Sequence, residues 1–141
     1  MPDRRHIVWK ERRLLLGVSV LLLTLRLTLA VLPYRAARRL FDRPARAGRR
    51  APSETYRRRV VWAVHAVGRR VLGDKPCLPE AMAVQWILRR HGDETTLRIG
   101  VRRDDAGALL AHAWLEREGQ ILIGGTLAPA QYQRLETRHA A

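Results

Sequence analysis

The stretch "GDKPCLPEAMAVQWILRRHG", residues 73–92, predicts the helix around which the rest of the fold is arranged. It contains Cys77, the one cysteine of the chain, directly after a proline. Pro79 suits a first helical turn, where a missing N–H is not needed, and Glu80 suits the positive end of the helix dipole. Gly92 is a typical C-terminal stop. The sequence therefore predicts a single thiol at the N-terminus of a helix.

A thiol in that position is well placed for catalysis, because the helix dipole and the free N–H groups favour the thiolate. It also needs a group that exchanges protons near neutral pH, and histidine does so most readily. His112 lies in "ALLAHAWLE", residues 108–116, which alternates as a strand does. If this strand packs beside the helix, Cys77 and His112 form a nucleophile and base. The open alternative is a pair of inert core residues.

The segment after the helix predicts an antiparallel meander of three strands. "LRIGV", residues 97–101, alternates apolar and other residues, and residues 108–116 form the second strand. Glu118 and Gly119 make a hairpin turn, and "QILIGG", residues 120–125, makes the third strand. Together with the helices, this pattern indicates an α+β fold.

Upstream of Cys77, the pattern predicts another helix, which starts at an N-cap, Ser53, and closes at Gly73. Its apolar residues are spaced four, four, three and four apart, as on one helical face. They are Tyr56, Val60, Val64, Val67 and Val71. Residues 43–52, "RPARAGRRAP", read as a linker. We therefore divide the chain into an N-terminal segment, residues 1–52, and a catalytic domain, residues 53–141.

Residues 14–32 form an apolar run interrupted by Arg26. The run predicts a helix that packs on the domain or lies at a membrane surface, with arginines on both sides. Its length also allows a transmembrane span, and "TLA" at 28–30 allows a secretory signal with a poor cleavage site. We favour the first interpretation, since Arg26 opposes insertion and the basic stretch at 33–50 opposes export.

The net positive charge of the protein comes from one half of the chain. Residues 1–76 contain 19 Lys and Arg against 5 Asp and Glu, whereas residues 77–141 contain 8 of each. The basic half has no recognisable nucleic-acid-binding motif, so a membrane surface or an acidic partner fits it better. One cysteine permits no internal disulfide, so nothing points to an oxidising compartment, and we expect a cytoplasmic protein that can associate with a membrane. The spacing of cysteine and histidine predicts no metal site.

Three segments resemble a known family: "CLPEAMAVQWILRRHG" at 77–92, "LRIGV" at 97–101 and "AHAWLEREGQILIGG" at 111–125. They are similar to the leader peptidases of lasso peptide biosynthesis, the discrete transglutaminase-like B protein. The resemblance covers residues 56–135. It implies a papain-like cysteine protease without a cofactor that removes the leader from a ribosomally made precursor. It also implies two partners, a small protein that recognises the leader and an ATP-dependent cyclase that then closes the ring.

The third catalytic residue stays unassigned, because the chain departs from the family pattern where an aspartate usually follows the histidine. Pairing around the turn places His112 opposite Gly125, so Gly124 and Gly125 occupy the expected place of the acid. Glu116 shares the face of His112 but lies about 13 Å along the strand, which is too far for a hydrogen bond. A backbone carbonyl, Thr126 or an acid from elsewhere must then orient the imidazole.

Two other functions fit the same residues. A transglutaminase-like acyl transferase would use Cys77 and His112 but pass the acyl group to an amine. A membrane-associated adaptor would carry Cys77 as an inert thiol. Among the neighbouring residues, Gln85 is too distant for us to assign it as an oxyanion donor, and the Cys77 N–H is the better candidate. Trp114 is expected to pack beside His112.

Overall fold

The computed structural model describes residues 4–42, 50–74, 76–125 and 129–135. In these residues, four α-helices precede a four-stranded antiparallel sheet. The predicted α+β class, with an apolar N-terminal helix, is confirmed. The linker predicted at residues 43–52 falls largely outside the described residues.

Prolines, glycines and one capping serine set the ends of the helices. The helices are α1 (Arg4–Val31), α2 (Tyr34–Phe41), α3 (Glu54–Val71) and α4 (Cys77–Arg90). Pro33 separates the first two, and the Ser53 side chain accepts a hydrogen bond from the Tyr56 N–H at the start of the third. Gly73 and Gly92 follow the last two with φ of 65° and 86°, a conformation that favours glycine. The predicted helix starts at Ser53 and Cys77 are confirmed.

The sheet contains the predicted meander and one further strand. Its strands are β1 (Thr96–Arg103), β2 (Leu109–Arg117), β3 (Gln120–Ile123) and β4 (Gln133–Arg134), in the spatial order β3-β2-β1-β4. Glu118 and Gly119 join β2 to β3 with φ of 49° and 78°, as a tight hairpin turn requires. The two-residue β4 carries no sequence signal of its own, and we did not predict it.

The register between β2 and β3 differs from the one we predicted. Glu116 pairs with Ile121 but Leu115 pairs with Ile123, so Leu122 is the extra residue of an irregularity. The pairing stops there, and the prediction that His112 lies opposite Gly125 is therefore wrong. The cause lies in the sequence of β3, whose consecutive apolar residues do not alternate and so do not fix a register.

The core brings α1 together with the rest of the domain. Four aliphatic residues on one side of α1 are at most 9% exposed: Val18, Leu21, Leu22 and Leu25. They share one hydrophobic cluster with residues of α3, α4 and the sheet, among them Val64, Val84 and Leu115. Arg26, the charge inside the apolar run, donates to the Val71 carbonyl at the end of α3. The division of the chain at residue 52 stays a prediction.

This packing bears on whether α1 spans a membrane. Trp9–Val31 is long and apolar enough to do so by length and composition alone. Burying one such aliphatic side chain contributes about 1.5–3 kcal/mol, so the four on α1 contribute up to ~6–12 kcal/mol. Domains of this size are stable by about 5–15 kcal/mol in total. Withdrawing α1 into a bilayer would uncover the residues of α3, α4 and the sheet that these four side chains cover.

A buried ion cluster joins α3 to the sheet below the core. The Asp93 side chain is 1% exposed, and its two oxygens accept hydrogen bonds of 2.6 Å from Arg57 and Arg117. Both oxygens are therefore satisfied by charged donors, which is the condition under which a buried carboxylate is tolerated. The cluster fixes the loop between α4 and β1, and through it the position of α4.

Candidate active site

Cys77 is the first residue of α4 and lies half-buried at its N-terminus. The first N–H groups of a helix have no intrahelical acceptor. Pro76 and Pro79 contribute no N–H, and the Glu80 N–H donates to the Pro76 carbonyl at 2.9 Å. The donors left at this end are the N–H groups of Cys77 and Leu78. They adjoin the thiol and can donate hydrogen bonds to an oxyanion that forms there.

His112 lies on β2, 8% exposed, and its orientation is set by the backbone of another segment. Its Nε2 lies 2.5 Å from the Gly124 carbonyl oxygen. A carbonyl only accepts hydrogen bonds, so Nε2 must carry the proton and donate it. In the neutral ring, Nδ1 is then unprotonated. The contact therefore fixes the tautomer in which Nδ1 can act as a base.

Gly124 can make this contact because it has no side chain. Its φ is 90°, and a Cβ built there would lie 2.6 Å from the Ala113 carbonyl oxygen and 2.8 Å from the Trp114 Cβ. A side chain at this position would force the segment to move, and its carbonyl with it. Of the groups we considered for orienting His112, a backbone carbonyl is the one found, and Thr126 lies outside the described residues.

Two aromatic side chains confine the imidazole. As predicted, Trp114 packs beside His112, fully buried, with a ring-centroid distance of 6.1 Å. Tyr132, just before β4, lies 5.3 Å from the imidazole. Gly100 pairs with His112 across the strands, and a Cβ there would lie 2.7 Å from the Tyr132 Cβ. Tyr132 can therefore pack against this part of the sheet only because position 100 is glycine.

Glu116 is a hydrogen-bond partner of Trp114 and not of His112 among the described residues. Its carboxylate accepts hydrogen bonds from the Trp114 Nε1 at 2.8 Å and from Arg98 at 3.3 Å. Burial opposes ionisation of Glu116, but these hydrogen bonds outweigh it and hold the pKa of the carboxyl below its ordinary value. Glu118, in the exposed turn, pairs with Arg117. Neither carboxylate is a hydrogen-bond partner of His112 within the described ranges.

Cys77 and His112 line the same cleft, which has a volume of about 980 Å³. One wall consists of α3 and the start of α4, and the other consists of β2, β3 and Tyr132. Apolar side chains that are 36–55% exposed occur on both walls: Trp62, Leu110 and Ile121. No hydrogen bond joins Cys77 to His112 among the residues that the structure describes. Such bonds are often long in enzymes without substrate.

Glu80 and His65 form a second ionisable pair in the helical wall, which we did not predict. Glu80 is 4% exposed; its Oε2 lies 3.4 Å from the His65 Nδ1, and its Oε1 has no hydrogen-bond partner. Burial raises the pKa of Glu80, although the hydrogen bond with His65 opposes the rise. A Cβ at Gly68 would lie 2.2 Å from Oε1. That glycine inside a helix was the available signal of a close approach.

Other polar residues near the site have structural roles. Gln85 is 7% exposed and donates to the Thr95 carbonyl at 3.1 Å, so it holds the loop after α4 and does not face an oxyanion. Among the described residues, no three His, Cys, Asp or Glu side chains form a group that could hold a metal ion. That the protein needs no metal or cofactor stays a prediction.

Comparison with known proteins places the chain in a family. Neither the curated proteins nor the solved structures include a significant match. A family model does match, over residues 19–137, which include the C-terminal part of α1 and every residue of the site described above. Since this match covers most of the chain, the protein belongs to the transglutaminase-like superfamily.

Proposed function

We propose that the protein is a cysteine peptidase that removes the leader from a ribosomally made lasso peptide precursor. Its superfamily includes cysteine proteases and acyltransferases, which in general act through a cysteine. The observation that carries the proposal is the hydrogen bond from His112 Nε2 to the Gly124 carbonyl. It leaves Nδ1 as the ring nitrogen that can act as a base, and His112 lines the same cleft as Cys77.

The proposed reaction begins when His112 Nδ1 takes the thiol proton and the Cys77 sulfur attacks the scissile carbonyl. The N–H groups of Cys77 and Leu78 bind the oxyanion of the tetrahedral intermediate. His112 then returns the proton to the leaving amine, and the acyl group stays on the sulfur as a thioester. Water, deprotonated by His112, attacks the thioester and releases a carboxylate and the free thiol.

The shape of the cleft supports a peptide substrate. Its volume is at the upper end of the range for small-molecule sites, which is about 300–1,000 Å³. Its sheet wall includes β3, an edge strand in the described part of the sheet. An extended peptide can hydrogen-bond to such an edge. The exposed Trp62, Leu110 and Ile121 would then contact apolar side chains of the substrate.

The finer parts of the proposal rest on the sequence resemblance. They are the lasso peptide precursor as substrate, a small leader-recognition protein and a cyclase as partners, and a cytoplasmic location. A basic, apolar N-terminal half and a neutral catalytic half are compatible with these partners. The leader-recognition protein would bring the precursor to the cleft, and the cyclase would use the released amine.

Mass spectrometry of a precursor peptide incubated with the protein and its leader-recognition partner tests the proposal. We expect two fragments whose masses add up to the precursor plus one water. With an amine present, an acyl transferase would instead place the amine on the new carboxyl end. Unchanged precursor in every mixture would contradict both the peptidase and the acyl transferase, and the membrane-associated adaptor would remain as the hypothesis. An adaptor would also keep its function after iodoacetamide blocks Cys77.

A further inference from the structure

The side of α1 that faces away from the domain carries exposed apolar residues along its length. Six of them are between 47% and 80% exposed: Trp9, Leu16, Val20, Leu23, Leu27 and Val31. From Leu16 onward their spacings are four, three, four and four, which places them on one side of the helix. We call these six residues the outer stripe of α1.

The outer stripe lies opposite the side of α1 that is already packed. Val18, Leu22 and Leu25, which fall between its members, are at most 1% exposed against α3 and α4. A helix at the surface of a soluble domain usually has one apolar side and one polar side. α1 has two apolar sides, and only one of them is covered. A contiguous exposed apolar surface of this kind marks an interaction site.

Positive charge borders the outer stripe at both ends. Arg12 and Arg13 lie near its first residues, and Arg35 and Arg39 lie on α2, which follows its last residue. All four are exposed. Glu11, the acidic residue of α1, lies 3.9 Å from the guanidinium of Arg59 and is partly neutralised by it. The occupant of the stripe must therefore be apolar in its middle and anionic around it.

This charge pattern disfavours a second copy of the chain as the occupant. Two stripes packed in parallel would bring Arg12 and Arg13 of each copy together. Packed antiparallel, they would bring those arginines against Arg35 and Arg39. Both arrangements place like charges next to one another, which repels the copies. An anionic lipid surface matches the charge and the apolar middle at once.

We infer that the outer stripe of α1 binds an anionic membrane surface, with α1 lying in the plane of the interface. From Leu16 to Val31 the stripe is ~22 Å long at the helical rise per residue. The inner side of α1 stays packed on the domain, and Arg26 stays bonded to the Val71 carbonyl. The helix therefore docks without crossing the bilayer, and the cleft stays folded on the membrane.

Co-sedimentation with lipid vesicles tests this inference on the full chain. The probes are vesicles of phosphatidylcholine alone and vesicles in which about a quarter of the lipid is phosphatidylglycerol. We expect binding to the anionic vesicles that weakens from about 0.1 M to about 1 M salt, because salt screens the arginines. The double variant Leu23→Gln/Leu27→Gln should bind at least about tenfold more weakly, since it loses apolar contact at the centre of the stripe.

Leu135→Gln is the matched control, because Leu135 is 50% exposed but lies after β4, far along the chain from α1. It should bind vesicles as the unaltered protein does. Thermal unfolding followed by circular dichroism checks that both variants fold. Gln is a good helix former, and both positions in α1 are exposed, so we expect unfolding temperatures close to that of the unaltered protein.

Four results would overturn the inference. The first is the absence of binding to anionic vesicles, which would leave an acidic protein as the occupant. The second is a double variant that binds as tightly as the unaltered protein. The third is a stable dimer in sedimentation velocity that the double variant abolishes. The fourth is loss of the near-ultraviolet circular dichroism signal on vesicles, which would mean that α1 leaves the core to insert. None of these measurements depends on the proposed peptidase activity.

Discussion

The two walls of the cleft are built in different ways. On the helical wall, Cys77 is placed by neighbours within a few residues, because Pro76 precedes the helix and Pro79 lies in its first turn. On the sheet wall, His112 depends on residues that come later in the chain. Gly124 supplies the carbonyl that binds its ring, and Tyr132 packs against the ring.

This difference has a mechanical consequence. A small change near Cys77 leaves the helix start intact, because a helix N-terminus is set by local backbone geometry. A small change on the sheet wall displaces a partner of His112 and alters which ring nitrogen carries the proton. We therefore expect substitutions of equal size to reduce activity more on the sheet wall, the reacting groups themselves excepted.

Substitution of the base should have the largest effect on the sheet wall. His112→Ala removes the group that takes the thiol proton, and we expect kcat to fall by about 10⁴ to 10⁶, as for members of other nucleophile–base units. The measurement is the rate of precursor cleavage by mass spectrometry. If His112→Ala retained more than about a tenth of the rate, another residue would have to be the base.

Gly124→Ala should have the next largest effect. A Cβ would meet the Ala113 carbonyl at 2.6 Å and strain a residue with φ of 90°, so the carbonyl that binds His112 must shift. We expect kcat to fall by about ten- to a hundredfold with little change in KM.

Gly125→Ala is the matched control for this substitution. The nearest atom to a Cβ at Gly125 is on the Ile121 side chain at 3.4 Å, an ordinary contact. This variant should keep its activity. Equal losses in the two glycine variants would show that the segment as a whole matters and that the carbonyl contact does not.

Substitution of the carboxylates near His112 should reduce activity less. If the Gly124 carbonyl orients His112, Glu116→Gln and Glu118→Gln should each lose less than about tenfold in rate, whereas loss of a true triad acid costs on the order of 10⁴. Glu116→Gln should weaken the hydrogen bond to Trp114 and lower stability above pH 5, where the carboxylate is ionised. A collapse of activity in either variant would contradict our assignment of the orienting group.

The smallest effect on activity is expected from Glu80, but its effect on stability should depend on pH. Because burial raises the pKa of this carboxyl above 4.5, the folded state binds its proton more tightly than the unfolded state does. Stability is therefore lost as the pH rises from about 4.5 through the folded pKa. Glu80→Gln cannot ionise, so its free energy of unfolding should fall less over this range than that of the unaltered protein. We expect the two losses to differ by ~1–2 kcal/mol at pH 8.

Urea unfolding between pH 4 and pH 8 measures this effect. The matched control is Glu94→Gln, at an exposed position in the loop after α4. Its stability should follow that of the unaltered protein at every pH. If Glu80→Gln and the unaltered protein lost stability in parallel, Glu80 would not be the buried acid that the structure indicates.

The structure of the helical wall could be predicted from the sequence more fully than that of the sheet wall. Prolines, glycines and apolar spacing predicted the ends of α3 and α4 and the position of Cys77, because these signals act locally. The same patterns did not reveal the irregularity at Leu122, since three consecutive apolar residues allow more than one register. They also did not reveal β4 or Tyr132, whose placement depends on packing against residues more than 15 positions earlier in the chain.

Buried charges were equally hard to predict. Asp93 and Glu80 are ordinary acidic residues in the sequence, one after a helix and one in its first turn. The fold gives Asp93 two arginine partners from distant segments, and it leaves one Glu80 oxygen without a partner. The sequence also left open which side of α1 packs on the domain, because apolar residues occur all around the helix in its apolar run.

Cleavage of the precursor by Cys77→Ala tests the central claim most directly. Alanine is smaller than cysteine and suits a helix start, so the fold should survive, as an unchanged unfolding temperature would verify. We expect intact-mass spectra of the unaltered protein to show a thioester-linked peptide fragment on Cys77 during turnover. We also expect no cleavage and no adduct with Cys77→Ala. Substantial cleavage by Cys77→Ala would contradict the assignment of this protein as a cysteine peptidase.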